Sequence, residues 1–156
     1  MTCAEQELTY RRIARYCAYQ ERTEKEVRDK LYALGIRGEA DYTTLIQKLK
    51  EDAYLDEDRY VTLFVSSKLR RNQWGKRKIE AVLLEKGLSP EQIATGLSFV
   101  SDENYRAMIW KVAKRKKALM HGGELRQNKQ RLINYLVQKG YEHSIVNAVT
   151  QELYPT

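Results

Sequence analysis

Six basic residues and no acidic residue surround a tryptophan–glycine pair in the middle of the sequence, within residues 68–78. Guanidinium and ammonium groups bind phosphate oxygens and acidic protein surfaces. Two interpretations remain open for this segment. It contacts phosphates or an acidic partner, or it is a solvated loop whose tryptophan packs against the core. The candidate contact residues are Lys68, Arg70, Arg71, Trp74, Lys76, Arg77 and Lys78.

A second basic region occupies the last third of the sequence. Residues 104–156 carry ten Lys or Arg against three Asp or Glu. Residues 1–55 carry ten of each sign, and residues 56–103 carry eight of each. The net charge of +7 therefore lies entirely in the last third. A one-sided positive field raises the local concentration of polyanions and speeds their encounter with the protein.

One long helix, predicted from about Asp102 to Met120, carries much of that charge. Its predicted apolar stripe consists of Tyr105, Met108, Ile109, Val112 and Leu119, with Lys116 at its border. The cations predicted to lie away from the stripe are Lys111, Lys114, Arg115 and Lys117. Trp110 falls among these cations, and two explanations remain open. It is an interface anchor, or it is covered by an adjacent repeat.

Three consecutive acids, Asp56 to Asp58, are of the residue type that binds metals or transfers protons. They are better explained as the cap and first turn of a helix, where each contributes about 0.3–1 kcal/mol through the helix dipole. Arg59 follows them, and two partners are open for its guanidinium: a carboxylate of another protein or an acid of this chain.

No catalytic or cofactor-binding motif is recognisable. There is no glycine-rich phosphate loop, nucleophile elbow or HExxH sequence. Neither His121 nor His143 has a cysteine or a carboxylate cluster near it at the spacing of metal ligands. Cys3 and Cys17 are too few for a disulfide framework, and Cys17 is expected to be a small buried apolar group. The N-terminus lacks the apolar centre of a secretory signal. We expect a non-enzymatic cytoplasmic protein with no catalytic residue, cofactor, metal or membrane association.

Helix signals recur at a nearly constant interval and define the architecture. Three apolar stripes end at Gly35, Gly87 and Gly140, which are 52 and 53 residues apart, and an apolar residue follows each glycine. This period is typical of a tandem array whose units pack against their neighbours. We therefore predict an all-α protein of three three-helix repeats, over residues 1–55, 56–103 and 104–156.

The remaining helices are predicted from caps and spacing. A leading helix over roughly residues 5–20 would bury Leu8, Ile13 and Cys17. A trailing helix over roughly 42–53 would be capped by Asp41. Thr23, Asp56 and Ser89 are the other predicted caps, and the helix after Asp56 should continue to about residue 71.

The second unit carries the most specific pattern: Tyr54 to Tyr60 (YLDEDRY), Phe64, residues 70–79 (RRNQWGKRKI), then Leu83, Lys86 and Gly87. This pattern resembles the RecX family of bacterial regulators. Its elements are, in order, an acidic run before Arg-Tyr, a basic helix end, a glycine turn and a leucine helix that ends on Lys-Gly. The first unit also fits, and the third fits more loosely.

The resemblance implies an elongated, curved array of three-helix units that lodges in the groove of a RecA–DNA filament. It further implies a regulator that modulates, and usually inhibits, recombination, ATP hydrolysis and the co-protease activity of the SOS response. Single-stranded or duplex DNA would be contacted through the filament, and we expect a monomer. The alternative function is a stand-alone helical DNA-binding protein without a recombinase partner.

Overall fold

A computed structural model describes residues 1–155 as nine α-helices with no β-strand in that range. The fourth helix continues directly into a π-helical turn over Lys68–Asn72. The tandem all-α fold is therefore confirmed. The helices are α1 (Cys3–Tyr19), α2 (Glu24–Ala33), α3 (Glu39–Glu51), α4 (Glu57–Ser67), α5 (Lys76–Glu85), α6 (Pro90–Ser98), α7 (Asp102–Leu119), α8 (Leu125–Gln138) and α9 (His143–Leu153).

Side-chain caps begin several helices where the sequence predicts them. Thr23 and Ser89 each form a reciprocal capping box, and the Asp56 carboxylate accepts the backbone N–H of Arg59 at 3.0 Å. The third helix is present, but the cap predicted for it is wrong. That helix begins after the extended Gly38, and Asp41 lies inside its first turn, where its charge favours the helix dipole without capping it.

The three repeated glycines end the central helix of each unit in the left-handed conformation. Gly35, Gly87 and Gly140 have φ values of 93°, 88° and 96°. The N–H of the residue after each glycine bonds the carbonyl five residues earlier, at 3.0, 3.2 and 3.3 Å respectively. This is the Schellman arrangement, which satisfies carbonyls that the helix end would leave unpaired.

Three apolar clusters, one in each three-helix unit, form the core. The first buries Ile13, Cys17 and Leu31 among others, the second centres on Ile79 and Leu83, and the third on the α7–α8–α9 unit. Leu69 and Val100 pack against both the second and third clusters, so the last two units share a continuous apolar contact.

Two predicted core residues lie on the surface. Leu8 is 53% exposed and Leu119 is 69% exposed. Leu8 lies five residues before Ile13, which places it about 140° away around the helix at about 100° per residue. Leu119 lies in the final turn of α7, where its side chain stays largely in solvent. Among residues 1–155, no helix is long and apolar enough to span a bilayer.

Candidate interaction surface

The basic segment of residues 68–78 is docked by its backbone onto the third unit. Gln73 adopts a left-handed φ of 55° and turns the chain out of the π-helical turn. The N–H of Gly75 then donates to the carbonyl of Lys139 at 2.7 Å, and the N–H of Arg77 donates to the carbonyl of Gly140 at 3.0 Å. The end of α8 thus caps the start of α5, which has no side-chain cap of its own.

The two backbones approach so closely that neither glycine has room for a side chain. A Cβ on Gly75 would stand 2.1 Å from the carbonyl carbon and oxygen of Gly140. A Cβ on Gly140 would stand 2.3 Å from the Cβ of Lys78. We call this contact the Gly75–Gly140 joint. Sequence reasoning explained Gly140 as a helix terminator and Gly75 as a turn, and it missed their contact.

Two tyrosines of the third unit complete the joint. The Tyr105 hydroxyl accepts the N–H of Lys76 at 2.9 Å and donates to the Glu142 carboxylate. The Tyr141 hydroxyl donates to the carbonyl of Gln73, and the two rings meet edge to face at 6.3 Å. Burial raises the pKa of both hydroxyls, and hydrogen bonding to Glu142 raises the pKa of Tyr105 further.

The predicted contact residues of this segment divide into two groups. Trp74 is half-buried against the second core, edge to face with Phe64 at 6.3 Å, and the Lys68 and Lys78 ammonium groups lie 4.8 and 4.5 Å from its ring centre. Lys76 lies 4.6 Å from the Tyr105 ring. These side chains pack against the protein itself. The exposed cations are Arg70, Arg71 and Arg77.

On α7, three of the four predicted cations are exposed. Lys111, Lys114 and Arg115 lie in solvent, with the Lys114 ammonium 4.9 Å from the Trp110 ring. Lys117 differs from the prediction, because its ammonium donates to the carbonyl of Leu153 at 2.7 Å and lies 4.7 Å from the buried Tyr154 ring. The last residue of α9 and Tyr154 after it therefore meet the end of α7, and Lys117 helps to hold them there.

Trp110 is half-buried against the core of its own unit. It borders a shallow cavity of about 400 Å³ together with Ile145 and Val149 of α9. Of the two explanations left open for Trp110, cover by an adjacent repeat is not what the structure has, because the covering helix belongs to the same unit. One part of the ring stays accessible beside Lys114.

Arg59 is paired within the chain, between the first and second units. Its guanidinium donates to the Glu21 carboxylate and, at 3.1 Å, to the carbonyl of Ala53. The hydrogen bond to Glu21 raises the pKa of Arg59. The neighbouring Glu57 accepts the N–H of Glu24 at 3.0 Å at the start of α2. The acidic run therefore caps helices and joins two units, and no cluster of three potential metal ligands occurs among residues 1–155.

Three three-helix units in tandem, joined end to end by capped helix termini, define a helical-repeat protein. Models of the first, second and third three-helix domains of RecX match residues 10–40, 56–97 and 103–150. The chain belongs to the RecX family, and the resemblance found in the second unit is confirmed.

Curated relatives and a solved structure agree with this assignment. The chain is 31% identical over 134 residues to the regulatory protein RecX of Clostridium perfringens strain 13, and 35% identical over 133 residues to that of Clostridium botulinum strain Alaska E43. The matches cover 85% and 84% of this chain but only 62% and 61% of those relatives. RecX from Lactobacillus salivarius has the same fold, with a TM-score of 0.88 at 24% identity over 97% of this chain and 98% of that one.

Proposed function

We propose that this chain is a non-enzymatic regulator that binds the RecA–DNA filament and inhibits its recombinase, ATPase and co-protease activities in DNA repair and the SOS response. The observation that carries this proposal is the match of all three RecX domains in order along the chain. The filament as partner is what the resemblance to the family implies. A tandem array of this kind offers an extended surface to a repeating partner.

The proposed contact surface is built on the Gly75–Gly140 joint. Arg70, Arg71 and Arg77 are exposed, while the backbone between them is held by bonds to Lys139 and Gly140. A rigid backbone lowers the entropic cost of ordering these side chains on a partner. Guanidinium groups bind both carboxylates and phosphates through paired hydrogen bonds, so a protein–DNA filament supplies suitable acceptors for them.

The exposed cations of α7 have a different proposed role. Lys111, Lys114 and Arg115 lie in the third that holds the whole net charge. The positive electrostatic field of these side chains acts mainly on the rate of association with a polyanionic filament and less on the lifetime of the complex.

Binding to a preformed filament tests the proposal. RecA is assembled on a fluorescent single strand with a non-hydrolysable ATP analogue, and anisotropy is compared with that of the same strand alone. We expect tighter binding to the filament, and we expect Arg70→Gln, Arg71→Gln and Arg77→Gln together to weaken it. The charge-matched control replaces Arg37, Lys48 and Arg126, which are exposed cations elsewhere.

A stand-alone DNA-binding protein is the second candidate function, favoured by the same exposed cations. It predicts an affinity for the bare strand at least equal to that for the filament, because recombinase covers part of the strand. Its affinity should also fall by about 10³–10⁵ between 50 and 200 mM salt if it makes 6–10 phosphate contacts. Equal affinity for the two targets would favour this candidate and contradict the filament proposal.

A further inference from the structure

Helix α1 carries a second ordered face, on the side away from its buried residues. Leu8, Arg12 and Tyr16 follow one another at intervals of four residues, and Arg11, Arg15 and Tyr19 do the same alongside them. Residues four apart lie above one another on a helix, so each row places arginine next to tyrosine. Tyr19 is 83% exposed, although its aromatic ring is large and mostly apolar.

This face forms one wall of an open cleft of about 770 Å³, and residues of α2 and of the loop before it form the other. In the part of the chain that the structure describes, no acidic side chain lines the cleft. Residues 1–55 carry equal numbers of acidic and basic residues. The cleft is therefore positive because the fold separates basic from acidic side chains, and not because the unit has an excess of basic residues. The cations that line the cleft are Arg11, Arg12, Arg15, Arg22 and Lys30.

Few carboxylates neutralise these cations. Arg11 pairs with Glu7 at 2.9 Å, but both side chains are largely exposed, where such a pair contributes little. Among residues 1–155, Arg12 and Arg15 have neither an ion pair nor a side-chain hydrogen bond. Their charges are therefore available to a ligand.

The inner end of the cleft is fixed by the protein. The Arg22 side chain is only 12% exposed, and its nearest carboxylate, that of Glu26, is 4.0 Å away. Its guanidinium lies 3.7 Å from the centre of the Tyr16 ring and donates to the Tyr16 carbonyl at 3.1 Å. Lys30 lies 5.4 Å from the same ring. A positively charged aromatic end is thus held in place before any ligand arrives.

We propose that this cleft binds single-stranded nucleic acid, with Arg12 and Arg15 on its phosphates and a base stacked on Tyr19. Proteins that bind single strands without sequence preference combine a positive groove with exposed aromatic rings. Every nucleotide carries both a phosphate and an aromatic base, whereas the acidic residues of a peptide supply charge alone and have no ring to stack on Tyr19. The strand is therefore the ligand that uses both features of the face.

This inference goes beyond the proposed binding to the filament, because it concerns a bare strand and a different unit. Non-specific binding of this kind has a dissociation constant of about 10⁻⁴–10⁻⁶ M at physiological salt. Weak binding to a bare strand is compatible with filament regulation at lower protein concentrations. On the filament several surfaces of the chain bind at once, and simultaneous binding raises the overall affinity. Recombinase is absent from the test, so its outcome is independent of the filament proposal.

The test is fluorescence anisotropy of a labelled (dT)20 strand with the full chain over a salt series. The double variant Arg12→Gln, Arg15→Gln is compared with Arg37→Gln, Lys48→Gln, two exposed cations of the same unit outside the cleft. Both variants lower the net charge from +7 to +5. We expect the cleft variant to lose about tenfold in affinity and its log–log salt slope to fall by about 1.4, at about 0.7 for each phosphate contact on a single strand.

Tyr19 separates stacking from charge. Tyr19→Ala should weaken binding by about fivefold or more, and Tyr19→Phe should restore it because the ring is kept. Equal affinity of the two double variants, or no binding of (dT)20 by the folded wild-type chain up to about 10⁻³ M, an order of magnitude above the weak limit for non-specific binding, would overturn the proposal. Displacement of the strand by poly-glutamate as effectively as by unlabelled strand of the same charge would overturn it in favour of an acidic protein ligand.

Discussion

Gly75 and Gly140 lie in direct backbone contact, with the carbonyl of Gly140 occupying the space that a Cβ on Gly75 would need. The two residues are 65 positions apart in the sequence and belong to different three-helix units. Two backbone hydrogen bonds and two tyrosine hydroxyls surround their contact. The basic segment and the third unit are therefore held in one fixed relation, which is the structural basis of the proposed contact surface.

Gly75→Ala should destabilise the protein by about 1–3 kcal/mol, the usual cost of overpacking. The reason is purely steric, because the φ of Gly75 is −79° and suits any residue. Gly38→Ala is the matched control. Gly38 also precedes a helix with an ordinary φ of −83°, and its new Cβ would meet only the flexible Asp41 carboxylate, at 3.3 Å. Urea unfolding of the two variants measures the difference, and equal stability would contradict the joint.

Gly140→Ala should be more damaging than Gly35→Ala. Both glycines have positive φ values, so each alanine incurs the left-handed penalty of about 1–2 kcal/mol. At Gly35 no atom of the described residues 1–155 lies within 4 Å of a new Cβ, whereas at Gly140 the backbone of Lys78 lies within 3.0 Å. The difference in free energy of unfolding between the two variants isolates the contact between units. An identical loss would mean that only helix termination matters at Gly140.

Tyr105 should make stability depend on alkaline pH. Its pKa is raised in the folded protein, so the neutral hydroxyl stabilises the fold fully below about pH 10, the ordinary value of tyrosine. That contribution is lost as the pH rises through the folded pKa. Tyr105→Phe should cost about 1–3 kcal/mol at neutral pH, because the Lys76 N–H loses its acceptor, and should flatten the decline above pH 10.

Unfolding midpoints from pH 7 to 11 test this prediction. Tyr19→Phe is the control, since that ring is exposed and its substitution leaves the joint intact. Parallel declines for wild type and Tyr105→Phe above pH 10 would show that the hydroxyl is not buried as described.

Replacing Lys111, Lys114 and Arg115 with glutamine should leave stability within about 0.5 kcal/mol, because these side chains are exposed and glutamine keeps good helix propensity. Association with the filament should slow, and the salt slope should fall by about 0.7–0.9 for each phosphate contact removed. Lys117→Gln should instead cost about 1 kcal/mol of stability, since it removes the bond to Leu153. Stopped-flow association and urea unfolding separate the two effects, and an unchanged association rate would make this part of α7 a solvated surface.

Features set by a few neighbouring residues could be predicted from the sequence. The Thr23 and Ser89 capping boxes, the Asp56 cap and the three glycine helix ends involve partners within a few residues, so local spacing determines them. Their recurrence also gave the repeat architecture, because each unit needs the same helix ends.

Features formed by distant residues could not be predicted. Helical spacing placed Lys117 away from the apolar stripe, but it cannot show that the end of α9 reaches the same place. The joint depends on a left-handed Gln73, a residue type that gives no signal for that conformation, and on backbone atoms 65 residues apart. The arginine cleft of the first unit was missed because the net charge of residues 1–55 is zero. Only the three-dimensional arrangement gathers the basic side chains in the cleft, apart from the acidic ones.

The most direct test of the central claim is RecA ATP hydrolysis on single-stranded DNA with this protein titrated in. We predict that hydrolysis slows at protein concentrations too low to bind the bare strand, and that Arg70→Gln, Arg71→Gln, Arg77→Gln shifts the inhibition curve to higher concentration while the charge-matched control does not. Undiminished hydrolysis at concentrations that saturate the bare strand would contradict the account of this chain as a regulator of the filament.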